Sequence, residues 1–195
     1  MKRRHYKFFY YVKKRLFLAL SLPDNYLEQF QQYQSGLVKN DELRKRGIRL
    51  TPKENLHITV LFLGYLEEEE IGLIFGAVKK VCRMITPFSL EFSETQMNRL
   101  VWAVFEKNEI YEKLKNLLEE ELAGIIGENF REKNRKTIIH ATLARFKKEG
   151  GKITLPQMRM ADGKFRCDKI LFFESQLRST GPVYSVIGEF KFNEK

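Results

Sequence analysis

Leu56-His-Ile-Thr-Val60 and Ile139-His-Ala-Thr-Leu143 are one five-residue pattern written twice: apolar, His, any residue, Thr, apolar. In a strand, alternate side chains share a face. His57 and Thr59 therefore point one way in the first segment, and His140 and Thr142 point one way in the second. The chain has three histidines, and two of them carry Thr two positions on. A single His-x-Thr is ordinarily a half-buried histidine beside a β-branched residue that suits a sheet. Two of them, each inside a strongly apolar segment, are harder to dismiss, because burying four polar side chains unpaired costs free energy. Setting the two strands side by side brings all four onto one patch.

Outward from these segments the chain reads as alternating strands and helices. Arg15–Leu22 is predicted to be a buried strand. Tyr26, Leu27, Phe30 and Tyr33 recur at near-helical spacing, which predicts a helix from Asp24 to about Lys39. Leu56–Leu63 reads as a strand ending at Gly64. Residues 67–85 read as a helix whose first turn carries four acids and whose end carries Lys79, Lys80 and Arg83, the order that complements a helix dipole. Residues 88–94 and 100–105 read as two strands. A second long helix is predicted over residues 110–126, with Leu114, Leu117, Leu118 and Leu122 on one face. Residues 137–146, 164–174 and 183–192 read as further strands. No low-complexity linker divides the chain. The repeated motif, each copy closing a stretch of strands and a long helix, points to two related lobes.

Composition narrows the class. Hydrophobic residues make up 43% and charged residues 31%, and sixteen Phe and eight Tyr can fill a core. The net charge of +10 suggests nucleic acid until it is located. Lys2, Arg3, Arg4, Lys7, Lys13, Lys14 and Arg15 stand in an acid-free start, and without those seven the balance is 28 basic to 25 acidic residues. Charge alone is thus no argument for RNA. Residues 1–14 are expected to be a basic tail, disordered or adding nothing to the fold, ahead of a single domain over residues 15–195. The run Leu16–Leu22 after that start faintly resembles a secretory signal, but it is short and lacks a small-x-small cleavage site. Pro23-Asp24 opens an amphipathic stretch instead. No apolar run is long enough to span a membrane. Cys82 and Cys167 form neither a disulfide framework nor a metal spacing, which fits a reducing cytoplasm. A monomer is the expectation.

The four motif residues suit phosphoryl chemistry. Opening a cyclic phosphate requires a base to take a proton from water and an acid to give one to the leaving ribose oxygen. Histidine can do either near neutral pH. Threonine hydroxyls can donate to the non-bridging oxygens, where charge builds in the transition state. Zinc would need a third or fourth ligand, and neither motif strand contains Asp, Glu or Cys, so no metal and no cofactor are expected.

The sequence resembles the 2H phosphoesterases, and among them the RNA 2',3'-cyclic phosphodiesterases, also called 2'-5' RNA ligases. The resemblance runs through Arg15-Leu-Phe-Leu-Ala19, Pro52-Lys-Glu-Asn-Leu-His-Ile-Thr-Val-Leu-Phe-Leu-Gly64, Val101-Trp-Ala103, Ile139-His-Ala-Thr-Leu-Ala-Arg145, Phe173-Glu-Ser-Gln-Leu177 and Tyr184. It implies a bilobal α+β fold, two antiparallel sheets with outer helices around a central cleft lined by the motif strands. It implies that His57 gives a proton to the leaving 3'-oxygen, that His140 is the base for water, and that Thr59 and Thr142 hold the phosphate, leaving a 2'-phosphate. The substrate would be RNA or a nucleotide with a 2',3'-cyclic phosphate end.

The resemblance also implies that Arg145 contacts phosphate and that Phe62 stacks on a nucleobase. Each stands five residues after its histidine, and strict alternation puts both on the opposite face. Either a bulge re-aims them, or Phe62 is core and Arg145 a surface cation. Ile48-Arg49-Leu50-Thr51-Pro52 has Leu where the family often has an aromatic. The charged segment Phe130–Lys136 could follow an RNA backbone or be a solvated turn. Two alternatives stand beside hydrolysis: making or breaking 2'-5' linkages at the same site, and a non-catalytic RNA-binding module.

Overall fold

The structure is a computed structural model that describes residues 13–130, 137–148, 153–161, 163–179 and 181–194. Most of the basic start and the segment Arg131–Lys136 lie outside the described residues. Nine strands and four helices follow in order among them: β1 (Lys14–Ser21), α1 (Asp24–Leu37), α2 (Asp41–Lys45), β2 (Ile48–Leu50), β3 (His57–Leu66), α3 (Glu68–Cys82), β4 (Phe88–Met97), β5 (Leu100–Phe105), α4 (Glu109–Ile126), β6 (His140–Phe146), β7 (Lys164–Cys167), β8 (Lys169–Arg178) and β9 (Gly181–Lys191). The domain's first strand thus begins at Lys14, inside the segment read as tail.

All strand pairs are antiparallel, in the order β7-β4-β5-β6-β3-β1-β8-β9, with β2 on β6 beside β3. The α+β class is as expected. The two sheets, however, are halves of one ladder joined at a single pair, Ile58 with Ala141. That narrow join is flanked by wider ladders on either side.

The helices interlock the halves. Helix α1 precedes β3 but packs on β6, while α4 precedes β6 but packs on β3. Tyr26, Phe30 and Leu37 of α1 and Tyr111, Leu114, Leu118 and Leu122 of α4 are buried in one core cluster with the inner faces of both halves. The first turn of α3 carries Glu68, Glu69 and Glu70 and its last turn Lys79 and Lys80, as the charge order predicts. The Glu67 backbone N–H donates to the Glu70 carboxylate at 2.7 Å.

Three elements depart from the sequence reading. The stretch read as one strand over residues 164–174 breaks at Asp168. Strand β7 pairs with β4 at one edge of the ladder, and β8 pairs with β1 near the other. Strand β7 buries Phe165 and Cys167 in alternation and β8 opens on the buried run Ile170-Leu171-Phe172, so two apolar segments follow each other with only Asp168 and Lys169 between them. Strand β3 does not stop at Gly64. It continues to Leu66 because Gly64 takes φ +85, which a residue without Cβ adopts at little cost. Helix α2 and strand β2 are too short for a periodic signal, although Asn40 caps α2 by accepting from the Glu42 and Leu43 backbone N–H groups.

Candidate active site

The join between the halves builds the site. Ile58 and Ala141 are fully buried on the core face. One step along the antiparallel register in each direction sets His57 opposite Thr142 and Thr59 opposite His140, all four on the outer face. The side chains predicted to converge therefore do so.

Each imidazole is oriented from behind in the same way. His57 Nδ1 lies 2.8 Å from the Asn55 carbonyl, and His140 Nδ1 lies 2.8 Å from the Ile138 carbonyl. A carbonyl can only accept, so both Nδ1 atoms carry the proton and both Nε2 atoms are turned to the chemistry. At His57 the Thr59 hydroxyl donates to Nε2 at 3.0 Å. Burial pushes His57 down to about 4. Its bond to the Asn55 carbonyl works against that shift, and the positive charges of His140 and Arg145 add to it. His57 is thus neutral at pH 7, and it senses both groups electrostatically.

Phe62 and Arg145 also stand on the histidine face, because both motif strands are bulged. In β3, Thr59 pairs with Ala19 and Leu61 with Leu18, so Val60 is an extra residue. In β6, Thr142 pairs with Trp102 and Ala144 with Val101, so Leu143 is extra. Each bulge reverses the alternation, giving buried pairs at Val60-Leu61 and Leu143-Ala144 and returning residue five to the outer face. Phe62 is 51% exposed, so the core reading of this residue fails. The Arg15 guanidinium lies 5.9 Å over its ring and donates from Nη1 to Ser175 Oγ at 3.0 Å.

The two walls differ. Around His57 stand Phe17, Phe173 and Tyr184, at ring-centre distances of 5.0, 6.0 and 5.3 Å. Against His140 lies Trp102, 4.3 Å between ring centres, with its indole N–H buried and unpaired among the described residues. Among the described residues no three His, Cys, Asp or Glu side chains gather as metal ligands.

Three positioning residues were not singled out from sequence. The buried Gln34 amide of α1 donates at 2.8 Å to both the Thr51 and Leu143 carbonyls, holding the β6 bulge. The Tyr111 hydroxyl of α4 donates at 2.9 Å to the Thr59 carbonyl, beside the β3 bulge. The Asn55 amide donates at 2.9 Å to the Pro182 carbonyl, tying the approach to His57 onto β9. A polar residue in the apolar stripe of α1 was the available signal for Gln34.

The chain is similar to known proteins in sequence and in fold. Residues 20–97 match the family described as LigT-like phosphoesterase. An RNA 2',3'-cyclic phosphodiesterase of Methanocaldococcus jannaschii is 30% identical over 183 residues, spanning 90% of this chain and 99% of that protein. A protein of the same name from Thermotoga maritima is 27% identical, spanning 91% and 95%. Among solved structures, TT0787 of Thermus thermophilus superposes with a TM-score of 0.79 at 25% identity, covering 93% of this chain and all of that one. E. coli LigT complexed with 3'-AMP superposes with a TM-score of 0.75 at 20% identity, covering 93% and 99%, a likeness of fold. Among the described residues no helix is long and apolar enough to cross a membrane.

Proposed function

The chain belongs to the LigT-like phosphoesterases, and on that premise we propose that it is an RNA 2',3'-cyclic phosphodiesterase that needs no metal. Water attacks the phosphorus and gives a proton to His140. The bond to the 3'-oxygen breaks, and His57 gives that oxygen a proton. The products are a 2'-phosphate and a free 3'-hydroxyl. Thr59 and Thr142 donate to the non-bridging oxygens, and Arg145 offsets the charge that grows there.

The observation that supports this reading is the single Ile58–Ala141 pair, next to which both Nδ1-anchored histidines and both threonines share one face. A neutral His57 is compatible with the role of acid. A phosphodiester anion seated beside it favours the imidazolium and reverses the push from His140 and Arg145. As the anion enters, the Thr59 hydroxyl turns from Nε2 to phosphate and frees that nitrogen for the proton. The reading also takes the protein to act as a monomer in the cytoplasm, which suits the buried free thiols of Cys82 and Cys167.

The test is incubation of the protein with an oligoribonucleotide bearing a 2',3'-cyclic phosphate, in excess EDTA, followed by identification of the product end. A 2'-phosphate is expected. A 3'-phosphate, or turnover that EDTA abolishes, would overturn the proposed mechanism. A 2'-5'-linked oligomer run alongside separates hydrolysis of the cyclic end from cleavage of that linkage.

A further inference from the structure

Arg49 belongs to none of the catalytic groups, yet the ladder puts it beside them. It pairs directly with Arg145 across β2 and β6, between Ile48–Phe146 and Leu50–Ala144. Directly opposed residues share a face, so Arg49 stands on the face to which the Leu143 bulge returns Arg145. Ile48, Leu50 and Phe146 pack against the core, while Arg49 and Arg145 are both exposed. On its other side Arg145 faces Leu100 of β5, an apolar residue.

Two like charges directly opposed in a ladder repel and destabilise it. Their neighbours are compensated: Arg44 pairs with Asp41, and Arg46 pairs with Glu42 at 3.3 Å. The side chains of Arg49 and Arg145 make no hydrogen bond or ion pair to any described residue. Two directly opposed guanidiniums with no counter-charge among the described residues suit an anion that bridges them.

We propose that Arg49 and Arg145 form a second phosphate subsite, which takes the phosphodiester on the 5' side of the terminal nucleotide. The preferred substrate is then the end of an RNA chain rather than a cyclic mononucleotide. This rests on the function proposed above. With the bulge, Arg145 is the next outward-facing position along β6 after Thr142, roughly 7 Å on. That step resembles the spacing of successive phosphates along an RNA strand. Arg145 faces both phosphates, and Arg49 faces only the second.

The test compares kcat/KM for three substrates: a nucleoside 2',3'-cyclic phosphate with a 5'-hydroxyl, the same compound with a 5'-phosphate, and a dinucleotide with a cyclic end. The dinucleotide should exceed the 5'-hydroxyl compound by at least about tenfold, largely through KM, since one charge-assisted contact contributes about that much. In Arg49→Gln the ratio should fall at least about fivefold, and Arg49→Lys should restore part of it. The salt dependence of dinucleotide binding should also lose about 0.7 of a unit in log–log slope. A ratio unchanged in Arg49→Gln, including one preserved because all rates fall together, overturns the subsite. A gain for the 5'-phosphate compound alone would assign the pair to mononucleotide ends, and so also overturn it.

Arg49→Gln should leave the melting temperature of the ligand-free protein equal or higher, because it relieves repulsion. A purely structural Arg49 would lower it. If no cyclic substrate is turned over, the proposed function fails, and the subsite is decided by binding alone. Calorimetry of a nucleoside 2'-phosphate against a dinucleotide 2'-phosphate should then show the same preference and its loss in Arg49→Gln; equal binding of the two would overturn the subsite.

Discussion

The two motif strands, β3 and β6, share a backbone device and differ in almost everything that touches it. Each has His-x-Thr, an Nδ1–H bonded to the carbonyl two residues upstream, a bulge after the Thr, and a carbonyl near the bulge held by a helix of the other half. The surroundings diverge. His57 is sunk among Phe17, Phe173 and Tyr184, whereas His140 stands against Trp102 on the side that carries Arg145. At the fifth position β3 presents an exposed ring and β6 a guanidinium. A repeated backbone can thus supply two histidines in the same pose with unlike surroundings, and burial lowers the proton affinity of His57. An acid–base pair requires that division.

The largest break in this comparison is removal of either imidazole. His57→Ala and His140→Ala should each lower kcat by about 10²–10⁴-fold, with the double variant little worse than the poorer single, because the two act as one unit. Steady-state turnover of a cyclic-ended oligonucleotide reads this. If either variant stayed within a few-fold of wild type, the two strands would not share one reaction.

Gln34→Leu tests the β6 half alone. It strips one hydrogen bond each from the Thr51 and Leu143 carbonyls, the latter still accepting from the Thr51 N–H, and should cost about 1–3 kcal/mol of stability in a denaturant titration. Activity should fall with it, because the bulge that aims Arg145 loses its anchor. Tyr111→Phe removes the corresponding bond from β3, a single one to the Thr59 carbonyl, and should cost about 1 kcal/mol. Equal effects would mean that the two bulges do not depend on these bonds as described.

His57 gives the comparison a pH signature. Its folded value of about 4 lies below its ordinary 6.5. The folded protein therefore refuses a proton that the unfolded chain accepts. Stability from this group is fully present above about pH 6.5 and is lost as pH falls toward 4, by up to about 1.4 kcal/mol per unit. Denaturant midpoints between pH 7 and 4 should slope less in His57→Gln than in wild type. Imidazole signals in proton NMR should show the His57 midpoint rising when a nucleoside 2'-phosphate binds, with proton uptake. A midpoint near 6.5 in the free protein would remove the distinction between the two walls.

How much of this was legible follows from which residues carry a periodic signal. His57, Thr59, His140 and Thr142 were readable because alternation and a repeat place them without any knowledge of the fold. The bulges were not. Val60 and Leu143 are apolar residues that look alike in a bulged strand and a regular one, and only their pairing with β1 and β5 exposes the extra residue. The faces of Phe62 and Arg145 therefore stayed open until the ladder was known. Asp168 hid because apolar strand residues stand close on either side of it, and only the change of phase from Phe165 and Cys167 to Ile170 and Phe172 marks the break. The crossing of α1 and α4 onto each other's halves has no local signature at all, since an amphipathic helix records that it is covered and not by what.

Phe62 carries the smallest expected effect and shows most clearly whether the bulge in β3 serves binding. Its ring is exposed on the histidine face and held from one side by Arg15. An exposed aromatic costs little to remove from the fold, so Phe62→Ala should move the melting temperature by at most about 2 °C. If the ring stacks on a base, the same change should raise KM several-fold, in line with about 1–3 kcal/mol per stacked base, and leave kcat nearly fixed. Phe62→Leu separates the possibilities further: it keeps apolar bulk and loses the flat face, so its KM should resemble that of Phe62→Ala. If Leu restored wild-type KM, Phe62 would act by filling space beside Phe17, and the bulge at Val60 would serve packing instead of base recognition.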